Sequence, residues 1–306
     1  MTAWHRLSKD DNQQAYVGRF APSPTGHLHL GSLLAAVASY CQARSQNGQW
    51  LIRMEDLDPP REVEGAAESI IQTLYAFGFE HDGTIIKQSQ PERQQAYQTA
   101  LQRLRNHGLI FACTCTRRQL RAHTIYPGTC RNRQQSPDQP HSLRIQVNDK
   151  EYTVRDKIQG LYSQNLATDC GDFNLLRKDG LMGYQLAVVV DDAYQGITEV
   201  VRGVDILDST PRQLYLIELL GYAIPKYAHI PVIVGTDGHK LSKQTFAKEI
   251  HLQNPYPLIR LCLQLLGQRP PELDVKSSKA MLYWGCQNWN IQAVPKTHVI
   301  KNPILN

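Results

Sequence analysis

The chain has 306 residues, enough for one large or two modest domains, and its 42% apolar and 20% charged make-up is that of a water-soluble globular protein. Its formal charge of +5 suits a polyanionic partner, no apolar run approaches membrane-spanning length, and Met1–Gln14 lacks the apolar core of a secretion signal. Seven cysteines, scattered except for Cys113, Cys115 and Cys130, argue against a disulfide framework and for a reducing, cytoplasmic setting with a metal site.

Residues 1–13 are polar and read as a loose terminus. Tyr16–Phe20 then alternates as a strand does, two prolines and a glycine break the run, and Leu33–Ala38 reads as a buried helix. A strand, a tight polar loop and a helix in that order aim backbone N–H groups and a helix dipole at the loop, which favours an anion. His27 and His29 add donors that can touch phosphate oxygens as charge moves across them, unless they only cap the helix. A second strand, Trp50–Met54, ends in Glu55-Asp56-Leu57-Asp58-Pro59-Pro60-Arg61, and carboxylates at the carboxyl end of a strand sit at the ligand crevice of an open α/β sheet. Glu55 is the candidate there, able to pair with a substrate ammonium. Asp58, before two prolines, reads as turn and cap chemistry for a helix over Val63–Phe77. Gln94–His107 reads as another helix that closes the first half of the fold.

From Phe111 to Arg133 the texture changes. Cys113-Thr114-Cys115 and Cys130 offer three thiolates; zinc takes four ligands in tetrahedral array, and His123 and Tyr126 are both candidates for the fourth. Such a closed site is structural and would fix a compact insert whose Arg117, Arg118 and Arg121 suit phosphate contacts. The alternative is three unrelated cysteines beside a solvated basic face. Ser142–Val147, Tyr152–Asp156 and Phe173–Arg177 read as antiparallel strands joined by turns. Tyr184–Asp192 reads as a buried strand whose Asp191-Asp192 end hydrogen-bonds loops, or helps hold the nucleotide region, rather than binding a metal. Ile197–Leu207 is strand and loop, and Pro211–Leu220 is a helix entered on proline. Arg202 can bind a carboxylate bidentately and would lose its charge match with an amide; otherwise it forms an ion pair with Asp205 or Glu199. The apolar Ile230–Val234 runs into the turn Thr236-Asp237-Gly238 and the basic His239-Lys240-Leu241-Ser242-Lys243-Gln244. Short helices over Leu258–Leu266 and Lys279–Asn288 and a loose tail follow.

His29-Leu30-Gly31-Ser32 resembles the HIGH signature of class I aminoacyl-tRNA synthetases, and Lys240-Leu241-Ser242-Lys243-Gln244 resembles their KMSKS loop. Ser32 stands where the first pattern ends in histidine, and Gln244 where the second ends in serine. With Arg19-Phe20-Ala21-Pro22-Ser23-Pro24-Thr25-Gly26 the chain is similar to the glutamyl/glutaminyl branch from Tyr16 to Lys248. The resemblance implies an α/β, Rossmann-like doubly wound parallel-sheet catalytic domain in two halves, 1–112 and 179–250. Between them it implies a zinc-containing insert at 113–178 of the kind that cradles a tRNA acceptor end, and after them a short helical region at 251–306 without an anticodon-binding domain. It further implies ATP-dependent activation of L-glutamate, with Arg19, Ser23, Glu55, Tyr184 and Arg202 around the amino acid. His29, Gly31, Lys240 and Lys243 would hold ATP and its magnesium, and His27, His29 and Lys243 would carry the phosphate chemistry. Arginine at position 202 favours glutamate over glutamine. Cys-x-Cys followed by Tyr-x-x-x-Cys is similar to the glutamyl-Q relatives in this branch, which selects Tyr126 as the fourth zinc ligand. Those relatives activate glutamate without tRNA and attach it to queuosine at the wobble position of tRNA(Asp); a monomer is expected. A short glutamyl-tRNA synthetase charging a terminal adenosine, and a non-catalytic paralogue that binds glutamate and ATP, are the competing readings. Intact His29 and Lys243 argue against the latter.

Overall fold

The computed structural model of the protein describes residues 15–132, 139–234, 255–272 and 276–301. Val17–Phe20 (β1) and Gln49–Met54 (β2) are parallel neighbours, with Val17 level with Gln49 and Phe20 with Ile52, and Leu30–Ser45 (α1) connects them. α1 is apolar on most of its faces because it is enclosed: Leu33, Leu34, Val37 and Cys41 are all buried. A 3₁₀ turn at Pro59–Arg61 leads to Ala66–Phe77 (α2), which stops at Gly78 in the left-handed conformation. Ile86–Lys87 (β3) then adds to β2 in parallel. Trp50 centres the packing here, stacked on Phe79 at 5.6 Å and edge-on to Tyr40 at 5.0 Å between ring centroids.

Pro91–Asn106 (α3) starts on a proline, which costs nothing where the first N–H groups have no helical acceptor. Next come Ile110–Cys113 (β4), the single turn Arg117–Leu120 (α4), Ser142–Ile145 (β5), Glu151–Asp156 (β6), Gly160–Asn165 (β7), the turn Leu166–Asp169 (α5) and Phe173–Leu176 (β8). The three strands expected as one antiparallel group divide between two sheets. β5 pairs antiparallel with β4 and β8, whereas β6 forms a hairpin with β7.

Tyr184–Tyr194 (α6) corrects the expectation of a strand at Tyr184–Asp192. Three consecutive valines suggest a strand, but a segment buried along most of its length has no polar stripe to reveal its period. The helix puts Tyr184 and Asp191, seven residues apart, on one face. Glu199–Gly203 (β9), a 3₁₀ stretch at Val204–Ser209, Thr210–Leu220 (α7) and Lys226–Ile230 (β10) follow. β10 lies between β6 and β9, parallel to both, and Thr198 N donates to Val17 O at 2.9 Å where β9 meets β1. The parallel pairs β1–β2 and β9–β10, joined through the Thr198–Val17 bond, with α1 in one core and α6 and α7 in the other, make the doubly wound α/β layer.

Val232–Val234 (β11), Pro255–Leu265 (α8), Ser278–Gln287 (α9) and Val299–Lys301 (β12) complete the described chain, with β11 and β12 parallel. α8 and α9 pack on α1 closely at Gly285. A Cβ there would lie 2.9 Å from Leu263 Cδ2 and 3.1 Å from Cys41 Sγ. Among the described residues no helix is long and apolar enough to cross a membrane.

Candidate active site

The carboxyl ends of β1, β2 and β9 open on a cavity of about 520 Å³. Arg19 of β1, Ser23 of the following loop, and His29 and Gly31 at the start of α1 line it, with Glu55 after β2, Tyr184 at the head of α6 and Arg202 of β9. Seven residues singled out in the sequence therefore share one chamber at the sheet edge where α/β folds bind ligands. Lys240 and Lys243 lie outside the described residues. His27 is exposed, with Nδ1 2.6 Å from Ser69 Oγ of α2, and is not in the described lining.

His29 both caps α1 and faces the cavity. Its backbone is extended and Nδ1 accepts the Ser32 N–H at 3.3 Å, while Nε2 lies 3.0 Å from Ser32 Oγ. A Cβ on Gly31 would come within 3.1 Å of the His29 ring, so glycine leaves the imidazole its place.

Behind the cavity wall lies a buried charge lattice that links β1, β2 and α6. Arg19 Nε donates to Asp192 Oδ1 at 3.1 Å, and Arg53 Nη2 lies 2.8 Å from the same oxygen. Asp191 accepts from Arg93 Nε at 2.9 Å, Gln88 Nε2 at 2.6 Å and Tyr97 OH at 2.8 Å. Burial alone would raise the Asp192 carboxyl, but the Arg19 and Arg53 guanidiniums outweigh it and hold it below its ordinary value. Glu55, 3.5 Å from Arg53 Nη2, behaves oppositely: burial pushes its carboxyl up, and Arg53 and Arg19 only partly offset this. The lattice fixes the two arginines, and the Asp191-Asp192 pair bonds mainly to side chains of strands and helices, with Gln88, in the loop after β3, as its loop partner.

Arg202 meets neither carboxylate considered for it. Glu199 is taken by Gln42 and Lys157, and it falls on the opposite face of β9, three residues away. Arg202 Nε instead donates to His229 Nε2 at 2.9 Å, and Nη2 donates to Thr210 Oγ1 at 2.9 Å and Gln213 Oε1 at 2.8 Å. Nη1 is buried, and among the described residues it has no hydrogen-bond partner. Burial pulls the His229 imidazole down to about 4, against the Asp156 carboxylate, so the ring is neutral at ordinary pH. The sequence reading missed His229 and Asp156; the only signal was a histidine inside the otherwise apolar end of β10.

A second cavity of about 340 Å³ adjoins the first and shares Ser23, Glu55, Arg61 and Tyr184 with it. Asp58 lies in its wall. It makes no cap bond; its carboxylate pairs with Arg61 and accepts from Arg177 Nη1 at 3.1 Å, tying the loop after β2 to the end of β8.

Away from these cavities, the sulfurs of Cys113, Cys115 and Cys130 all lie within 4.8 Å of one another, with Cys115 and Cys130 at 3.5 Å. Sulfurs on a tetrahedral zinc, with bonds of ~2.3 Å, sit roughly 3.8 Å apart, so the cluster can hold a metal ion with little movement. The Tyr126 hydroxyl is 3.4 Å from Cys113 Sγ and accepts the Cys130 N–H at 2.9 Å, so a phenol oxygen lies beside the thiol cluster. Although burial opposes it, the Thr114 backbone bond and the Tyr126 contact draw the Cys130 thiol down to about 7. The Arg131–Asp172 pair, with bonds of 3.0 and 2.6 Å, pins the segment to the start of β8. Metal analysis of the purified protein is expected to find about one zinc per chain. Cys113→Ser should lower that figure and the melting temperature together.

Residues 16–254 match the family model "tRNA synthetases class I (E and Q), catalytic domain". The chain is 49% identical over 288 residues to a protein of Ectopseudomonas mendocina (strain ymp) named glutamyl-Q tRNA(Asp) synthetase, covering 94% of this chain and 97% of that one. It is 51% identical over 290 residues to the protein of the same name from Pseudomonas syringae pv. syringae (strain B728a), with the same coverages. In fold it is similar to a glutamate tRNA ligase from Elizabethkingia meningosepticum, with a TM-score of 0.77 at 24% identity, over 94% of this chain and 67% of that one. With the family model spanning most of its length and relatives of this kind matching it nearly end to end, the chain belongs to the glutamyl-Q tRNA(Asp) synthetase family of class I (E and Q) tRNA synthetases.

Proposed function

We propose that the protein activates L-glutamate with ATP, without needing tRNA, and transfers it to queuosine at the wobble position of tRNA(Asp). The observation that carries this reading is Arg202 Nη1, a buried guanidinium nitrogen without a partner among the described residues, on a side chain that lines the main cavity. An unpaired buried cation is costly unless a ligand supplies the anion, and an acidic side chain does so. Near-complete coverage of relatives bearing the glutamyl-Q name supports the choice of acceptor over a terminal adenosine.

In this reading Arg202 and Tyr184 take the glutamate side chain, while Arg19, Ser23 and Glu55 hold the α-amino and α-carboxylate end. The α-carboxylate oxygen attacks the α-phosphorus of ATP, and the bond to pyrophosphate breaks. Little covalent chemistry falls to the protein, so positioning and charge stabilisation set the rate. His29 faces the nucleotide phosphates and the Gly31 backbone admits them closely; His27 assists from the rim, and Lys240 and Lys243 close over the leaving pyrophosphate. Magnesium, accompanying ATP, would neutralise phosphate charge. A hydroxyl of the queuosine cyclopentene diol then attacks the glutamyl carbonyl, and AMP leaves. Cys113, Cys115, Tyr126 and Cys130 hold structural zinc. The division at 1–112, 113–178, 179–250 and 251–306, with the insert facing RNA, belongs to the same proposal, as does a monomer. A thiolate metal site needs reduced cysteines, which supports a cytoplasmic setting.

Glutamate-dependent ATP–pyrophosphate exchange in the absence of RNA tests the first step. Exchange is expected from the wild type, and Lys243→Ala should slow it about 100-fold, the loss typical of removing one charge-stabilising donor. Exchange that appears only when tRNA is added would count against this reading.

A further inference from the structure

We infer that Asp156 and His229 are positioning residues for recognition of the acidic side chain, holding Arg202 so that both N–H groups of Nη1 are kept for the substrate carboxylate. The inference rests on the glutamate reading of the cavity and adds to it a pair of residues that do not line the cavity.

A guanidinium has five N–H donors. On Arg202 the one on Nε and the two on Nη2 are committed to His229, Thr210 and Gln213, which leaves the two on Nη1. His229 and Arg202 are register partners on parallel β10 and β9, so their side chains stand side by side on one face. Because Arg202 Nε can only donate, His229 Nε2 must accept, and the ring proton sits on Nδ1. Nδ1 in turn lies 2.6 Å from Asp156 Oδ2. The other Asp156 oxygen accepts backbone N–H groups of Ile158 at 2.9 Å, Gln159 at 2.8 Å and His229 at 3.1 Å, so the carboxylate cannot turn. The chain of assignments is closed at the other end as well. Gln213 Nε2 donates to Gln185 Oε1 and Gln185 Nε2 to Ser209 Oγ, both at 3.0 Å, which points the Gln213 carbonyl at Arg202. His229 is 0% exposed and Asp156 4%, so solvent does not compete for either.

The design has a consequence for selectivity. A carboxylate bonded directly to Arg202 would compete with the ligand for its charge. Here each direct acceptor is neutral, and Asp156, the carboxylate that orients His229, is held one imidazole away from the guanidinium. The guanidinium is fixed in place while its charge stays available to a glutamate carboxylate, and an amide cannot match it.

Three variants in glutamate-dependent pyrophosphate exchange test this, with thermal melts run alongside. His229→Asn keeps a donor for Asp156 but removes the acceptor for Arg202. It should raise the KM for glutamate at least tenfold, leave the KM for ATP within twofold, and reduce the preference for glutamate over glutamine at least tenfold. His229→Gln restores an acceptor near the Nε2 position and should stay within threefold of wild type. Asp156→Asn presents an amide donor to Nδ1, moving the ring proton to Nε2 opposite Arg202 Nε–H. It should reproduce the His229→Asn defect without altering the histidine. Folded His229→Asn and Asp156→Asn proteins with wild-type glutamate KM and selectivity would overturn the inference alone, as would equal rises in both KM values with no rescue by glutamine. A wild type without glutamate-dependent exchange would overturn the underlying reading and this inference with it.

Discussion

Arg202→Ala is expected to raise the KM for glutamate by about 100-fold or more in pyrophosphate exchange, while the KM for ATP stays near wild type. The side chain is only 6% exposed, so any carboxylate it meets is largely stripped of water. Truncating one member of a buried, hydrogen-bonded charge pair costs roughly 2–5 kcal/mol, and each 1.4 kcal/mol is about tenfold in affinity. Arg202→Lys should be nearly as poor. An ammonium has no planar fork with which to bridge His229, Thr210 and Gln213 while still reaching a ligand. A glutamate KM within threefold of wild type in the alanine variant would remove Arg202 from the site.

Asp191→Ala should produce the largest loss of stability among single changes in the charge lattice, about 3–5 kcal/mol in urea unfolding. Asp191 and Arg53 are both fully shielded, and the carboxylate serves Arg93, Gln88 and Tyr97 at once. Removing it leaves the buried Arg93 guanidinium without its carboxylate and Tyr97 with an orphaned hydroxyl, while Arg53 keeps Asp192, and a methyl group cannot compensate for either loss. Asp191→Asn retains an acceptor and should cost less. A loss below about 1 kcal/mol for the alanine variant would mean that the neighbouring Asp192 carries the lattice alone.

Much of the site was legible because its signals are local. The β1–loop–α1 unit announces itself through a strand pattern broken by Pro22, Pro24 and Gly26 and followed by an apolar helix, and His29 and Gly31 sit where that reading puts them. The cysteine cluster follows from spacing alone, since Cys113, Cys115 and Cys130 lie within one short segment. What was not legible depends on pairings between distant segments. Arg19 and Asp192 are 173 residues apart, and His229 and Asp156 are 73 apart; both pairs exist only because parallel strands and α6 bring them together. The misread α6 has a different cause. Leu186–Val190 is enclosed by the second core, and an enclosed helix and an enclosed strand look alike in an apolar run. The helical period matters to the site, because it is what sets Tyr184 at the cavity and Asp191 in the lattice behind it.

In the proposed function an acidic amino acid, activated in this chamber, is passed to a modified anticodon base. Labelled glutamate offered with ATP to tRNA(Asp) containing queuosine, to tRNA(Asp) lacking it and to tRNA(Glu) tests this most directly. Label is expected on the queuosine-containing tRNA(Asp) alone; label on tRNA(Glu), or on both forms of tRNA(Asp) equally, would overturn the proposed function.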